Sequence, residues 1–399
     1  MNTNRQTLLF ITTEVPWPAD SGGRIKTFRL VQFLAQHFEV RLLCAHGMRD
    51  KQSLTELRDA SGIASAQSFD TFKPRTALNW FKGLMSFPTF NSFRVYSKQM
   101  ESMMRWGVEQ SDIVIVDHLE MMEMIPEKLV PKVIYHSHNA EFKLWTDMAK
   151  LVNNPIKKIA IEWEADRIKA FERWVIRKSK FTFAAPNDIQ LLKEIQGVKE
   201  DKFRLTYHLG NETLLNRPII NLDANPHKVF YAGTLSWMPN HDGLMWFIRN
   251  CWKQVKSEVP QAELVVCGRG ADSDLQNAIR HSEGIIYKGF VEDLEVEMST
   301  SRCAIVPLRF GSGMKIKTFD AMYRGLPVVA TSSGVEGIDV ENGIQVFSAD
   351  NSEAFSNYVI ELLSSPELGM HVANEARELT KSKYTYPVVF GQMLVSITQ

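Results

Sequence analysis

Hydrophobic residues in this chain fall mostly into short unbroken runs, separated by longer stretches with apolar positions three and four apart. Residues 8–12 (LLFIT), 39–44 (EVRLLC), 112–118 (DIVIVDH), 132–139 (KVIYHSHN) and 181–185 (FTFAA) read as buried strands. After the first of them, Ile25, Phe28, Val31 and Leu34 share one face of a predicted helix that starts near Arg24. The alternation resumes at residue 228, with strands at 228–234, 263–270, 303–308, 328–331 and 344–350 and helices between them. Strand and helix in alternation predict an α/β chain built on parallel sheets. Its 399 residues are too many for one core and suit two domains, 1–205 and 228–383. The stretch 206–227, with Pro218 and Pro226, reads as the linker, and 384–399 as a closing amphipathic helix.

The most informative stretch is 307–331, PLRFGSGMKIKTFDAMYRGLPVVAT. It reads as strand, glycine loop, helix, glycine stop and strand. Ile316, Phe319 and Tyr323 form the buried stripe of the helix, Gly325 ends it, and Pro327 enters the next strand. Gly311-Ser312-Gly313 carries little side chain, so an anion can approach its backbone N–H groups and the positive end of the helix. Lys315 or Lys317 then assists a phosphate, and Asp320, one turn on, accepts hydrogen bonds from sugar hydroxyls. The competing reading is an ordinary glycine turn before a helix with solvated charges.

In the first half, the loop 13–23 (TEVPWPADSGG) follows a strand and precedes a helix, which sets it at the ligand-binding edge of a parallel sheet. It reads equally as a surface turn shaped by Pro16, Pro18 and two glycines. Two later strands end in polar groups: Asp117 and His118, then His136, His138 and Asn139, with Glu141 beyond. Those at strand ends are candidates for the site, His138 and Asn139 on the acceptor side. His136 and His138 alternate along one strand, but no fourth ligand is suggested, so the expectation is no metal. Satisfied structural histidines are the other reading.

Composition narrows the partners. Equal numbers of basic and acidic residues, 46 each, give no footprint for nucleic acid. No apolar run approaches the twenty residues of a membrane span, and the N-terminus reads as a strand and not a signal peptide. Cys44, Cys251, Cys267 and Cys303 lack metal-like spacing and suit reduced core positions in a cytoplasmic protein. From 72 to 106, Trp80, Phe81, Phe87, Phe90, Phe93, Tyr96 and Trp106 interleave with Lys73, Arg75, Lys82, Arg94, Lys98 and Arg105. This mixture suits a membrane interface or a lipid-linked acceptor, or else an insertion that buries its aromatics. The basic helical stretch 143–180 reads as a solvated helix, or as a face toward anionic lipid of the inner leaflet.

The stretch 307–331 resembles the nucleotide-sugar signature of family 4 glycosyltransferases, and the resemblance continues through 230–247 (FYAGTLSWMPNHDGLMWF), 263–270 (ELVVCGRG) and 287–294 (YKGFVEDL). It implies the GT-B fold, two Rossmann-like domains with parallel sheets facing across a cleft, and the closing helix packed back on the first domain. It implies donor binding by Gly22 and Gly23 in the first domain. In the second it implies Gly233, Thr234, Arg269, the loop Gly289-Phe290-Val291 at the base, and Gly311, Ser312, Gly313 and Lys315 at the phosphates. His118 stands near the family's histidine that contacts the donor sugar, or Asp117 does after a slip of one residue. Two departures stand out. The loop 234–243 lacks the arginine and lysine that many members direct at the diphosphate, which moves that charge to Lys315, Lys317 and Arg309. Of the family's two glutamates eight positions apart, Asp320 replaces the second and Ser312 the first.

The reading that follows is a metal-independent, retaining transfer of a sugar from a nucleoside-diphosphate donor to a hydroxyl of a glycan or lipid-linked acceptor, in surface polysaccharide synthesis. His118, Lys317 and Asp320 are its catalytic set, and no cofactor is expected. The rivals are a GT-B nucleotide-sugar epimerase, for which cleft carboxylates are lacking, and a degenerate sugar-nucleotide-binding subunit, which Ser312 and the missing loop lysine favour.

Overall fold

The apolar runs at 8–12, 113–117, 133–136, 181–184, 229–232, 264–267, 303–306 and 328–330 become strands buried on both faces, as expected of a parallel sheet covered by helices. The computed structural model describes residues 5–19, 22–46, 53–150, 152–311 and 313–399. Among them the first sheet holds β1 (Thr7–Thr12), β2 (Glu39–His46), β3 (Ser65–Asp70), β4 (Ile113–Asp117), β5 (Val133–His136), β6 (Phe181–Ala184) and β7 (Phe203–Leu205). The order is β3-β2-β1-β4-β5-β6-β7, with every pairing parallel. The second sheet holds β8 (Lys228–Ala232), β9 (Glu263–Cys267), β10 (Ile285–Gly289), β11 (Cys303–Val306), β12 (Val328–Ala330) and β13 (Phe347–Ser348), in the order β10-β9-β8-β11-β12-β13. These pairings too are parallel.

Both sheets reverse direction of growth at one place, between β1 and β4 in the first and between β8 and β11 in the second. In open α/β sheets the crevice at such a switch point, beyond the carboxyl ends of the strands, is where ligands bind. The glycine loop after β11 and the Asp117–His118 pair after β4 therefore lie where the topology directs a ligand.

The chain divides into two compact units, 1–207 with 389–399, and 208–388. Of the stretch 206–227 read from sequence as a linker, residues 208–227 pack on the second unit. Arg377 donates to the carbonyl of Leu215 (2.6 Å), Arg324 to that of Pro218 (2.8 Å), and Arg302 to that of Asn225 (2.9 Å). These buried guanidiniums satisfy carbonyls that an extended segment would leave to water, a long-range arrangement with no local signature. The closing helix Tyr386–Thr398 contributes its last turns to the first unit, where Phe390 meets Phe33 and the Thr206 hydroxyl meets the Met393 sulfur.

Helices fill the long spans of the first unit. The aromatic-basic region forms Ala77–Ser86, Phe90–Val95 and Lys98–Gln110, and the basic stretch splits into Glu141–Lys150 and Pro155–Lys178. Among the described residues no helix is long and apolar enough to cross a membrane. The four cysteines are buried and form no disulfide.

Candidate functional site

In the second unit, loops at the carboxyl ends of β8, β9 and β10 are laced together through glycine. The Gly233 N–H donates to the Cys267 carbonyl (3.0 Å), that of Gly268 to Gly289 (2.7 Å), and that of Leu235 to Arg269 (2.7 Å). Gly268 has φ +152°, and a Cβ there would lie 1.8 Å from the Gly233 carbonyl oxygen. Only glycine allows that approach.

The helix expected from about Gly313 begins three residues later, as Ile316–Arg324, and Gly325 caps it in the left-handed conformation. Lys315 occupies the N-cap with no side-chain cap bond, so the first N–H groups of the helix are not closed off by their own cap. Gly311 and Gly313 both have positive φ, 118° and 78°. The Lys315 ammonium binds the carbonyls of Gly311 (3.0 Å) and Gly313 and lies 3.5 Å from Glu336. Lys315 thus holds the shape of the loop, a role different from the direct phosphate contact read from sequence. Its stem is long enough to fold back on its own loop, which residue order alone does not reveal. Arg309 is likewise engaged, by Asp242 at 2.8 Å. Ser312 lies outside the described residues.

Lys317 differs from both. Its ammonium has no carboxylate neighbour among its described contacts; it donates to Asn240 Oδ1 (2.7 Å) and sits over the Tyr231 ring (4.7 Å). A Cβ on Gly233 would meet this ammonium at 2.9 Å and the Asn240 amide at 2.9 Å, so the absent side chain makes the space Lys317 enters. Burial, and then the charge of Lys315, push its pKa down to about 7. Desolvated, with no carboxylate partner among its described contacts, and beside a helix N-terminus, Lys317 has the surroundings in which an ammonium gains from an anion. Asn240, which sequence reading passed over, comes from the same stretch 234–243 that lacks the expected arginine and lysine, and stands in the first turn of the helix Met238–Asn250.

Farther along this edge, the Arg269 guanidinium lies 3.6 Å from the centroid of the Phe290 ring. Phe290 is 52% exposed, and such a ring stacked on a cation offers a flat platform to a planar ligand. Gly289 has φ +64° with open space around it, Val291 is half-buried, and Thr234 is exposed. Asp320 receives the Asn211 N–H on one carboxylate oxygen (2.7 Å), and Gly210 must be glycine-sized to let that oxygen approach.

In the first unit, register does the assembling. Thr12, Asp117 and His136 are the last residues of β1, β4 and β5, and they stand abreast as paired positions of the sheet. Asp117 is fully buried. Its Oδ1 accepts from His136 Nδ1 (2.6 Å) and His138 Nε2 (2.6 Å), and its Oδ2 from the hydroxyls of Thr27 (2.7 Å) and Thr12 (3.3 Å). Burial works to raise its pKa, but the imidazoles of His138 and His118 outweigh it and hold the carboxyl well below the usual carboxylate range. Burial pushes His138 down to about 3. His118 is opposed by burial too, yet Asp117 and Glu120 raise it.

Its surroundings fix His118 closely. Its φ of 102° is the one positive value outside glycine among the described residues. Its ring stacks on His138 with centroids 4.0 Å apart, and its Nδ1 meets the Asp117 carbonyl. The loop carrying His138 and Asn139 hangs from buried acids. Glu172 receives the N–H groups of Glu141 (2.8 Å) and Phe142 (3.0 Å), and Asp188 that of Ala140 (3.0 Å). Gly22 and Gly23 open the helix Gly22–His37, in which Thr27 reaches Asp117, and Arg24 binds Glu14 at 3.0 Å.

Asp117, His136 and His138 each offer an atom within 4.8 Å of the others, the grouping a metal requires. The 2.6 Å contacts are nevertheless hydrogen-bond lengths, short of the roughly 3.3 Å between two ligands on one tetrahedral zinc with bonds of about 2.0–2.1 Å. The donor set fits a carboxylate receiving two imidazole N–H groups better than a metal.

Residues 226–365 match the family described as Glycosyl transferases group 1. An uncharacterized 44.6 kDa protein in the cps region of Klebsiella pneumoniae is 27% identical over 179 residues, 43% of this chain and 46% of that protein. The match thus spans about half of that relative's length. Among solved structures, Anabaena Alr3699/HepE in complex with UDP and glucose aligns with a TM-score of 0.70 at 13% identity, over 98% of this chain and 99% of that one. Sucrose-phosphate synthase from Thermosynechococcus elongatus aligns with a TM-score of 0.70 at 15% identity, over 99% of both. WaaG, a glycosyltransferase involved in lipopolysaccharide biosynthesis, gives 0.68 at 12% identity, over 98% and 99%. Residues 226–365 thus resemble the group 1 glycosyl transferases, and the two parallel sheets, together with the likeness to these solved structures, give the chain the GT-B fold.

Proposed function

We propose that the protein transfers a sugar from a nucleoside-diphosphate donor to a hydroxyl of a glycan or lipid-linked acceptor, with retention at the anomeric carbon and without a metal. The observation that carries this is Lys317: an ammonium with no carboxylate partner among its described contacts, beside an uncapped helix N-terminus at a switch point. The diphosphate lies against Lys317 and the loop Gly311–Gly313, the base near Arg269 and Phe290, and the ribose near Asp320. Leaving-group charge is stabilised by fixed dipoles and the ammonium in a partly desolvated site, where they act most strongly. His118 meets the donor sugar. No side chain is assigned as general base, since in a retaining transfer the leaving phosphate oxygen takes the acceptor proton.

HepE crystals hold UDP or UDP-glucose, and WaaG acts in lipopolysaccharide biosynthesis, which supports a sugar-nucleotide donor and a surface-polysaccharide product. Peripheral contact with the inner membrane leaflet from the cytoplasm belongs to the same reading. Phe81 is 64% exposed, Met85 71% and Ile156 78%, with exposed Arg75, Lys82, Lys157 and Lys158 nearby in sequence, a composition suited to an anionic lipid interface.

A thermal-shift panel of UDP, GDP, ADP and CMP with and without magnesium tests it, followed by turnover of the matching sugar nucleotide. Stabilisation by one diphosphate without metal, and transfer or slow hydrolysis of its sugar, is the expected result. No shift with any nucleotide would overturn it. Interconversion of the sugar would make the protein an epimerase, and binding without turnover a donor-binding subunit.

A further inference from the structure

We propose that Asp117 is the positioning residue of the first unit's sheet edge: it clamps His136 and His138, and through the His138 ring it sets where the His118 ring points. The role given to His118 rests on the function proposed above; the clamp itself does not.

A carboxylate has about four acceptor sites. His136, His138, Thr12 and Thr27 supply four donors, from β5, the loop after it, β1 and the helix Gly22–His37. Asp117 therefore ties together every element that meets at the switch point. A buried carboxylate with no lysine or arginine among its described partners is a poor way to gain stability, since desolvation costs several kcal/mol. The arrangement makes sense as orientation. His138, with Nε2–H fixed on Asp117, presents its ring face, and His118 lies on it. With Nδ1 turned to the Asp117 carbonyl, Nε2 is the edge of His118 directed away from its own backbone. The His118 side chain is 20% exposed against 3% and 6% for the other two, so it is the ring a ligand can reach. The positive φ at His118 persists only where neighbours over-determine it, and the clamp supplies those neighbours. Groups facing this imidazole are Asp117, His138, Glu120 and Glu14.

The experiment uses the full chain with ¹³C-labelled histidine, wild type against Asp117→Asn, Asp117→Ala and His138→Phe. It reads imidazole signals across a pH titration, UDP affinity, and turnover of UDP-glucose and GDP-mannose. In Asp117→Asn the oxygen still faces the histidines and the threonine hydroxyls can turn to accept, so the ring positions survive while the charge is lost. His118 then titrates at least one pH unit lower. Asp117→Ala shifts the His118 signals and lowers kcat about a hundredfold with UDP affinity unchanged, and Asp117→Asn recovers most of that loss at acid pH. His118 titrating alike in wild type and Asp117→Asn overturns the clamp, as does an unmoved His118 signal in His138→Phe. Should Asp117→Ala not fold, these two variants decide. Should neither donor turn over, the imidazole signals still decide the clamp, and the loss falls on the proposed function.

Discussion

The two sheet edges solve one problem with opposite means. Beyond the second sheet, side chains are removed: Gly233 and Gly268 let loops touch and leave the Lys317 ammonium in the space created, and Gly311 and Gly313 turn their loop at positive φ. Beyond the first, side chains are added, and Asp117 gathers two imidazoles and two hydroxyls from four elements. A phosphate is bound well by backbone dipoles and a point charge, which a spare loop exposes. A sugar hydroxyl needs a donor aimed along one direction, which requires a rotamer fixed from several sides. The difference suggests that the edges fail differently when mutated, the second by gaining atoms and the first by losing them.

The largest effect follows from adding a methyl where two loops touch. Gly268→Ala places a Cβ 1.8 Å from a backbone oxygen at φ +152°, so both loops must shift; we expect about 2–5 kcal/mol of lost stability from strain plus overpacking. Gly289→Ala is the control, left-handed but in open space, and should cost only about 1–2 kcal/mol. Equal urea midpoints for the two variants would show that close approach is not what fixes this edge.

Much of this edge was legible because its signals are local. Strand, glycine loop, helix and glycine stop all occur within 307–331, and the buried Phe319 and Tyr323 and the left-handed Gly325 follow from spacing and residue type. The late helix start at Ile316 and the turning of Lys315 onto its own loop were not, because both depend on where a flexible stem folds. The other edge was legible only in part. Asp117, His118 and His138 all show in the sequence as polar groups at strand ends, but nothing there marks Asp117 as the residue that gathers the others. Its partners Thr12, Thr27 and His136 are distant in sequence, and register alone brings them abreast. A similar limit explains Asn240, visible only once Lys317 is seen against it.

Removing the ammonium comes next in size. Lys317→Ala should weaken binding of the preferred nucleoside diphosphate by about 1.5–3 kcal/mol in calorimetry, the range for hydrogen bonds to charged groups. Its pH dependence is the sharper test. With the pKa pushed down to about 7 in the free protein, the ammonium is present below that value and lost above it. Affinity should fall by up to about tenfold per pH unit above 7, in a range where the terminal phosphate is already ionised. The loss should vanish in Lys317→Ala. A flat profile from pH 7 to 9 in the wild type would remove Lys317 from the phosphate.

On the first edge the comparable change subtracts one hydroxyl. Thr27→Val keeps the shape but leaves one oxygen of a fully buried carboxylate short of a donor, for a loss of about 1–3 kcal/mol in stability. Nucleotide affinity should not change with it. A variant as stable as the wild type would mean that the imidazoles and the Thr12 hydroxyl suffice to hold Asp117.

The smallest effect separates the two ends of the nucleotide. Arg269 already covers one face of the Phe290 ring, so a base stacking there adds to an existing pair and need not order a free side chain. Truncation in Phe290→Ala removes the ring and also frees Arg269, whose cation–ring attraction at an exposed site is worth about 0.5–1 kcal/mol. Loss of affinity for the nucleoside diphosphate should therefore be modest, about 1 kcal/mol. Inorganic pyrophosphate lacks the base, so its binding should be the same in Phe290→Ala and wild type while Lys317→Ala weakens both ligands. Equal losses for pyrophosphate and nucleotide in Phe290→Ala would mean that the ring supports the phosphate loops instead, and the base would have to be sought at another part of the edge.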